Sequence, residues 1–224
     1  MKQNRKPYVI LSAAMTIDGK IATKTGDPEL SDDEDWREVH KLRSDVDAIM
    51  VGKNTIIKDN PKLHIKYYEH NGYYRVVVDS KLTIPFDSNV ITYQPKLYPT
   101  IICTTKNIPI NKIQKFESKN VIVLKTGVKD FVDLLELMPM LYDMGIKSIL
   151  LEGGGTLNWS FIRNDLVDEI RLTIAPWIIG GRDAISLVEG DGFKKMIEGP
   201  RFDLIKVSNR ENYVTLSYKR REKK

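Results

Sequence analysis

Short apolar runs alternate with helical patterns along most of this chain. The runs are rich in Val, Ile and Leu and nearly continuous, which is typical of strands that are buried on both faces of a parallel sheet. They predict strands at residues 8–13, 48–51, 75–78, 100–103, 121–124 and 148–151. The pattern therefore predicts an α/β protein with a mostly parallel sheet.

A first helix is predicted at residues 32–44. Its start carries a capping-box pattern, because Ser31 is followed three residues later by Glu34. An apolar stripe follows at helical spacing, formed by Trp36, Val39 and Leu42.

A second helix is predicted at residues 129–144. Gly145 is its expected C-terminal stop, and Pro139 predicts a kink or a restart. The side chains expected to face inward are Phe131, Leu134, Leu135, Met138 and Leu141.

The C-terminal part changes character. Residues 166–175, 202–208 and 213–218 have strand composition without intervening helices, and residues 209–212 predict a hairpin loop. No linker divides the chain, so a single domain spanning residues 1–224 is expected. The expected architecture is thus an α/β body finished by antiparallel strands.

The net charge changes the picture only at the two ends. The chain has 224 residues and a formal charge of +5, but its first six residues carry +3 and its last six carry +4. Residues 7–218 are left with −2, so the body is not a basic surface and nucleic-acid binding is disfavoured. The two basic ends, residues 1–6 and 219–224, are expected to be flexible.

Further classes of protein are disfavoured by the remaining composition. We find no apolar run long enough to span a membrane and no signal peptide with a cleavage site. The single cysteine, Cys103, excludes a disulfide framework within the chain and favours a cytoplasmic protein. His40, His64 and His70 lack metal-ligand spacing, so no metal site is predicted.

The strongest local motif follows the strand predicted at residues 148–151. Glu152 leads into Gly153, Gly154 and Gly155, Thr156 follows, and a helical stretch is predicted at residues 157–163. Glycines at such a corner let the main chain approach an anion, and the helix start favours negative charge. A phosphate site and a plain tight turn both fit this segment. Because ligand contacts in α/β proteins lie at strand ends, Glu152 is a candidate functional carboxylate.

Another strand-to-helix corner, after the strand predicted at residues 48–51, carries Gly52, Lys53, Asn54 and Thr55, and Asp59 lies further along the same helical stretch. A short capped helix is the plainer interpretation, but two such corners in one sheet are suited to the two ends of a dinucleotide.

A third candidate lies at the end of the first strand. The small side chains of Ala13 and Ala14 would let a flat ring lie against the main chain, whereas Asp18-Gly19 alone predicts only a turn. Gly180-Gly181 has no charged partner that the sequence identifies, and we interpret it as a structural turn.

Taken together, these segments resemble a known family. The matching motifs are residues 7–22, 42–43, 51–52 with Thr55, 59–63, 78–80, 152–157, 175–176 and 180–181, in the family's order and over nearly the whole chain. The chain resembles the reductase domain of riboflavin biosynthesis, most closely its stand-alone archaeal form, the 2,5-diamino-6-ribosylamino-pyrimidinone 5′-phosphate reductases.

The resemblance implies a dihydrofolate-reductase-like fold, NADPH or NADH as the hydride donor, and a homodimer. The reaction it implies reduces the ribosyl group of a pyrimidine 5′-phosphate to a ribityl group, with the hydride supplied by the cofactor. No side chain is therefore assigned as catalytic. The implied cofactor positions are Ala14, Thr55, Asp59, Ser80, Lys81, Leu82, Thr83 and Gly153–Thr156, to which the corner after residues 48–51 adds Gly52, Lys53 and Asn54. The implied substrate positions are Arg43, Leu63, Lys66 and Glu152.

The chain departs from the bacterial pattern of this family at two substrate positions. Ser12 stands where bacterial chains have Lys, and Pro28 stands where they have Ser. The His and Cys elements of the bacterial zinc deaminase domain are also absent from the sequence. Two alternatives remain open: another reductase of the same fold, such as a dihydrofolate reductase, and a nucleic-acid-binding protein.

Overall fold

The computed structural model describes residues 5–128 and 130–221. In chain order the elements are β1 (Tyr8–Thr16), β2 (Lys20–Ala22), α1 (Asp33–Ser44), β3 (Ala48–Gly52), α2 (Lys53–Asp59), β4 (Tyr74–Val78), α3 (Asn89–Thr92), β5 (Thr100–Thr104), α4 (Ile110–Glu117), β6 (Ile122–Lys125), α5 (Leu134–Asp143), β7 (Ser148–Leu151), α6 (Gly155–Arg163), β8 (Glu169–Ala175), β9 (Ile185–Ser186), a 3₁₀ turn (Met196–Glu198), β10 (Phe202–Arg210) and β11 (Tyr213–Arg220). Within the described ranges, no helix has the length and apolar character needed to cross a membrane.

The chain divides into two compact units, each assembled from two segments of the sequence. The first comprises Met1–Tyr8 and His40–Leu150, and the second comprises Val9–Val39 and Leu151–Lys224. In the first unit the strand order is β7-β3-β4-β5-β6, and the pairs β3/β4, β4/β5 and β5/β6 are parallel. Helices α2, α3 and α4 connect these parallel neighbours in turn.

The parallel strands of the first unit are buried as their composition predicts. Residues 48–51 of β3, Val76 and Val77 of β4, and residues 101–103 of β5 have no exposed surface. Side chains that point to both faces are covered, so an unbroken apolar run is favourable there. The six strands predicted in the N-terminal 151 residues are confirmed, with shifts of one to three residues at some ends.

Helix α5 is shorter than the sequence predicts. It begins at Leu134, because the Asp133 side chain accepts hydrogen bonds from the main-chain N–H groups of Leu135 (2.9 Å) and Glu136 (3.1 Å). Phe131, which precedes the helix, is 74% exposed and Leu135 is 59% exposed, so the inward placement of these two side chains was wrong. Leu134, Met138 and Leu141 are buried as predicted, Pro139 lies inside the helix, and Lys129 lies outside the described residues.

The second unit carries the antiparallel strands. Its order is β10-β11-β8-β1, in which β1 and β8 are parallel whereas β8/β11 and β10/β11 are antiparallel; β2 and β9 form a separate pair. The fold class is therefore confirmed: an α/β protein with mostly parallel strands and an antiparallel C-terminal hairpin. The hairpin loop is tighter than predicted, since Arg210 already pairs with Tyr213.

The two basic ends are only partly described. Lys219 and Arg220 are paired strand residues of β11, opposite Asp203 and Phe202. Residues 1–4 and 222–224 of the predicted flexible ends lie outside the described residues.

Helix α1 buries a polar face. Its N-cap is Asp32, whose carboxylate accepts from the Asp35 N–H (2.7 Å), whereas the Ser31 hydroxyl donates to the Asp35 carboxylate (2.5 Å); the predicted Ser31–Glu34 capping box was wrong. Asp35 has no exposed surface and also accepts from Arg171 (2.8 Å) and the Thr173 hydroxyl (2.6 Å) of β8. A carboxylate with these partners can be buried. Of the predicted apolar stripe, Trp36 is 43% exposed, whereas Val39 and Leu42 are half-buried.

Candidate active site

The three glycines between β7 and α6 have three different local environments. Gly153 adopts a φ of +83°, which disfavours any residue with a Cβ. A Cβ added to Gly154 would meet nothing within 4 Å, although this residue is the N-cap of α6. A Cβ added to Gly155 would lie 2.6 Å from Cγ of Glu189 and closer still to the carbonyl oxygen of Ser186. The corner thus leaves space above its main chain at Gly154.

The glycine corner is held by Asn158 on the first turns of α6. Asn158 is 1% exposed, and its Nδ2 donates to the Leu187 carbonyl (2.8 Å). Its Oδ1 is buried without a hydrogen-bond partner in the described residues, and the Nδ2 atom would lie 3.1 Å from a Cβ on Gly153. Glu152 and Gly154 are half-buried at the same corner, whereas Thr156 is exposed and lies 3.3 Å from the Glu189 carboxylate.

In the second unit, the end of β1 is tied to the Gly180 loop by Asp18. The Asp18 carboxylate accepts from the Thr16 hydroxyl (2.6 Å) and from the N–H groups of Gly180 (2.7 Å) and Ile179 (3.2 Å). These hydrogen bonds, led by that of Thr16, lower the pKa of Asp18 to about 2. The sequence identified no charged partner for Gly180-Gly181, and the structure supplies one in Asp18. The predicted cofactor residue Ala14 is half-buried on β1, opposite Thr173.

A cavity of about 300 Å³ lies beside this tie, within the second unit. Thr16 and the loop residues Trp177 and Ile179 form part of its wall. The other residues that line it are Ala22, Thr23, Asp27, Glu29 and Leu30. An indole, hydroxyls and two carboxylates around one cavity suit a flat ring that carries hydrogen-bond donors.

In the first unit, the corner between β3 and α2 is simpler. Gly52 is the N-cap with φ −81° and ψ 158°, an extended conformation that most residues adopt. Lys53 and Thr55 are half-buried, and Asn54 and Asp59 are exposed. The helix that follows has seven residues and ends at Asn60 in the left-handed conformation, before Pro61.

The loop after β4 is built around a buried carboxylate, that of Asp79. Asp79 has no exposed surface and accepts from the N–H groups of Lys81 (3.2 Å), Thr83 and Ile84 (2.9 Å) and from the Thr83 hydroxyl (3.1 Å). The loop main chain is therefore fixed by one side chain. Leu82, a predicted cofactor residue, is 1% exposed and has a φ of +55°. Because its side chain is buried, only its main chain is available to a ligand.

A cavity of about 450 Å³ opens beside this loop, within the first unit. It contains two predicted cofactor residues, Ser80 and Lys81. The sequence did not identify the rest of its lining, which is Thr105, Asn107, Ile108, Val128 and Asp130. All of these follow the C-terminal ends of the parallel strands β4, β5 and β6, where α/β sheets bind ligands, and this position is the signal that could have indicated them.

The predicted substrate residues of the first unit lie together. The Arg43 guanidinium donates to the His64 carbonyl (3.0 Å), and Leu63, His64 and Lys66 belong to one irregular segment. Arg43 is 6% exposed and Leu63 is 4% exposed, whereas Lys66 is exposed. Burial, together with the nearby cations Lys66, Arg43, Lys62 and Arg75, lowers the pKa of His64 to about 4. The segment therefore concentrates positive charge that suits an anion.

Two observations test whether these residues fit a dinucleotide cofactor. The open space at Gly154 lets a phosphate approach the main chain, which a side chain would prevent. The cavity beside Ser80 and Lys81 has hydroxyl, amide and cationic groups suited to a phosphorylated ribose. Both features fit such a cofactor. The space at Gly154 belongs to the second unit, and the cavity beside Ser80 and Lys81 belongs to the first. In the part of the chain that the structure describes, no group of three or more His, Cys, Asp or Glu is arranged to hold a metal ion.

Comparisons with known proteins show the family of this chain. The family model of the RibD C-terminal domain matches residues 7–216. A 2,5-diamino-6-ribosylamino-4(3H)-pyrimidinone 5′-phosphate reductase of Methanothermobacter thermautotrophicus is 44% identical over 89% of this chain and 91% of its own length. A protein of the same name from Aquifex aeolicus is 39% identical over 85% of this chain and 86% of its own length.

Among solved structures, RibD of Acinetobacter baumannii superposes with a TM-score of 0.81 over 97% of this chain and 59% of its own length, at 23% identity. This likeness supports the fold predicted from the resemblance. Because the family model matches residues 7–216 and a relative that is 44% identical covers 89% of the chain, the chain belongs to the RibD C-terminal domain family.

Proposed function

We propose that this protein reduces 2,5-diamino-6-ribosylamino-4(3H)-pyrimidinone 5′-phosphate to the ribitylamino product in riboflavin biosynthesis. The observation that carries the proposal is the phosphate-compatible glycine corner, in a chain that is 44% identical to a reductase of that name. A bound nicotinamide cofactor would supply the hydride for C1′ of the ribosyl group, and a proton would complete the reduction. The protein's own part is to bind and orient the two reactants.

The reductase family implies a nicotinamide cofactor, and we propose NADPH. Gly153, Gly154, Gly155 and Thr156 would hold its pyrophosphate, with Ala14 beside the nicotinamide ring. The cavity beside Ser80 and Lys81 supports a site for the adenosine end, and Lys81 is the one cation among the described residues that line it. An ammonium there would favour the 2′-phosphate that distinguishes NADPH from NADH.

The positive segment of the first unit supports a site for the substrate's 5′-phosphate. Arg43 and Lys66 would contact the phosphate, and Leu63 would shape the segment. Glu152 would accept hydrogen bonds from the amino groups of the pyrimidine, since a carboxylate is an acceptor only. Where bacterial relatives have Lys and Ser, this chain has Ser12 and Pro28, so we assign no substrate contact to those two positions.

We also propose that the protein is a cytoplasmic homodimer that binds no nucleic acid. The edge strand β10 carries Leu204, Ile205 and Val207 with more than half of their surfaces exposed, which supports association through this strand. The lone Cys103 is buried, and burial raises the pKa of its thiol, as expected of an unreactive core residue. Light scattering on the purified protein would test the dimer.

The central experiment measures NADPH oxidation by the purified protein with and without the ribosylaminopyrimidine phosphate. We expect oxidation only with that substrate, and a product heavier by two hydrogens in the mass spectrum. Turnover of dihydrofolate instead would favour a different reductase of the same fold. A DNA-binding signal that survives removal of both basic ends would favour the nucleic-acid alternative.

A further inference from the structure

The irregular segment Leu63–Lys66, which we call the 63–66 segment, is shaped by side chains from outside it. The Leu63 carbonyl accepts from the Tyr73 hydroxyl (2.7 Å) and from Nε of Arg75 (3.1 Å). The Ile65 N–H donates to the Tyr98 hydroxyl (3.3 Å). Leu63 itself has a φ of +42°, a conformation that an ordinary residue keeps only when its surroundings impose it.

Helix α1 supplies two further supports of the 63–66 segment. Arg43 donates to the His64 carbonyl (3.0 Å), and Nδ1 of His40 accepts from the Lys66 N–H (3.1 Å). His40 and Arg43 are three positions apart and therefore lie on the same face of the helix, where they are 3% and 6% exposed. One face of α1 thus fixes the main chain of the segment at two points, the His64 carbonyl and the Lys66 N–H.

The hydrogen bond of His40 requires a particular state of its ring. Nδ1 can accept from Lys66 only when it carries no proton, so the ring must be neutral with its hydrogen on Nε2. Burial, followed by the nearby cations Arg43, His64 and Lys66, lowers the pKa of His40 to about 4. The imidazole is therefore an acceptor throughout the neutral range, in a region that otherwise concentrates positive charge.

We propose that His40 is a positioning residue for the 5′-phosphate: its Nδ1 fixes the main chain at Lys66, so that the Lys66 ammonium and the Arg43 guanidinium face one anion. This proposal rests on the proposed function, because it takes the phosphorylated substrate as the anion. His40 itself does not contact the substrate. Because the main chain at Lys66 is already fixed before binding, less conformational entropy is lost when the Lys66 ammonium is ordered around the phosphate.

Two variants separate positioning from folding. His40→Leu removes the acceptor, whereas His40→Asn places an amide oxygen close to the position of Nδ1. The readout is kcat/KM for the phosphorylated substrate divided by kcat/KM for the same compound without its phosphate. We expect His40→Leu to lower this ratio about tenfold, the equivalent of one lost hydrogen bond. His40→Asn is expected to stay within about threefold of the parent protein.

Asp47→Ala is the matched control. The Asp47 carboxylate accepts from the main-chain N–H groups of Lys147 (2.8 Å) and Ser148 (2.9 Å), so this variant loses a side-chain acceptor of main-chain N–H groups in the same unit. These partners lie outside the 63–66 segment, and we expect the ratio to be unchanged. The proposal is overturned if His40→Leu loses activity equally on both compounds, if its ratio does not fall, or if Asp47→Ala lowers the ratio as much.

A binding measurement keeps this test independent of the reductase activity. Ribose 5-phosphate is titrated into the parent protein and into His40→Leu while the Lys66 amide is followed by NMR. We expect saturable binding that is about tenfold weaker in the variant. Binding with this difference, in a protein that fails to oxidise NADPH, would support the positioning role and reject the proposed reaction. Equal affinity in the two proteins, or no effect at Lys66 in the parent, would reject the positioning role.

Discussion

The two strand-to-helix corners look alike in sequence and differ in structure. At the end of β3, Gly52 has an extended backbone and starts a helix of seven residues. At the end of β7, Gly153 has a positive φ, Gly154 faces open space, and Gly155 packs against the main chain of Ser186. A glycine before a helix is therefore not informative by itself. The second corner differs because each of its three glycines has its own local environment: a positive φ at Gly153, open space at Gly154 and close packing at Gly155.

Gly155→Val should have the largest effect on the second corner. The new side chain would overlap the Ser186 carbonyl and Cγ of Glu189, and a main-chain atom cannot move aside without displacing β9. We expect a loss of about 3 kcal/mol in the free energy of unfolding, measured with urea. A loss below about 1 kcal/mol would show that the corner is looser than the structure indicates.

Gly153→Ala compared with Gly52→Ala tests the conformational difference between the corners. The φ of +83° at Gly153 penalises a Cβ by about 1–2 kcal/mol, and the Asn158 amide adds a close contact. The extended Gly52 carries no such penalty, so its variant should change the free energy of unfolding by less than about 1 kcal/mol. Equal losses in urea denaturation would contradict the distinction between the two corners.

Much of the fold could be predicted because its signals are local. The strands β3, β4 and β5 are continuous apolar runs with no exposed surface, so composition alone indicates them. The start of α5 was missed because Asp133, rather than the end of the apolar pattern, sets it. Phe131 consequently lies before the helix and is exposed.

Contacts between distant positions explain what the sequence did not predict. The polar face of α1 is buried because Asp35 meets Arg171, 136 positions away, and Asp18 meets Gly180, 162 positions away. Neither pair has a spacing that a motif could reveal. The same reason applies to Thr105, Asn107 and Asp130, which join Ser80 and Lys81 in one cavity only through the parallel order of the strands.

Gly154→Val separates ligand binding from folding at the second corner. Because a Cβ there meets nothing within 4 Å, the free energy of unfolding should change by less than about 1 kcal/mol. The same side chain would occupy the space that a pyrophosphate needs, so the dissociation constant for NADPH should rise at least about tenfold. Calorimetric titration measures this constant, and unchanged affinity would mean that the pyrophosphate lies elsewhere.

The smallest effect should come from replacing the lysines that are candidates to bind the cofactor's 2′-phosphate. Lys53 belongs to the first corner and Lys81 lines the cavity beside Ser80. An exposed ion pair contributes about 1 kcal/mol, so Lys81→Ala should lower the preference for NADPH over NADH about fivefold, measured as the ratio of their kcat/KM values. Lys53→Ala should leave that ratio unchanged, because the helix that begins at Lys53 follows the ordinary extended residue Gly52 and lacks the features of the glycine corner that favour phosphate binding. If Lys53→Ala lowers the preference instead, the first corner binds phosphate as well, and the contrast between the two corners is one of packing alone.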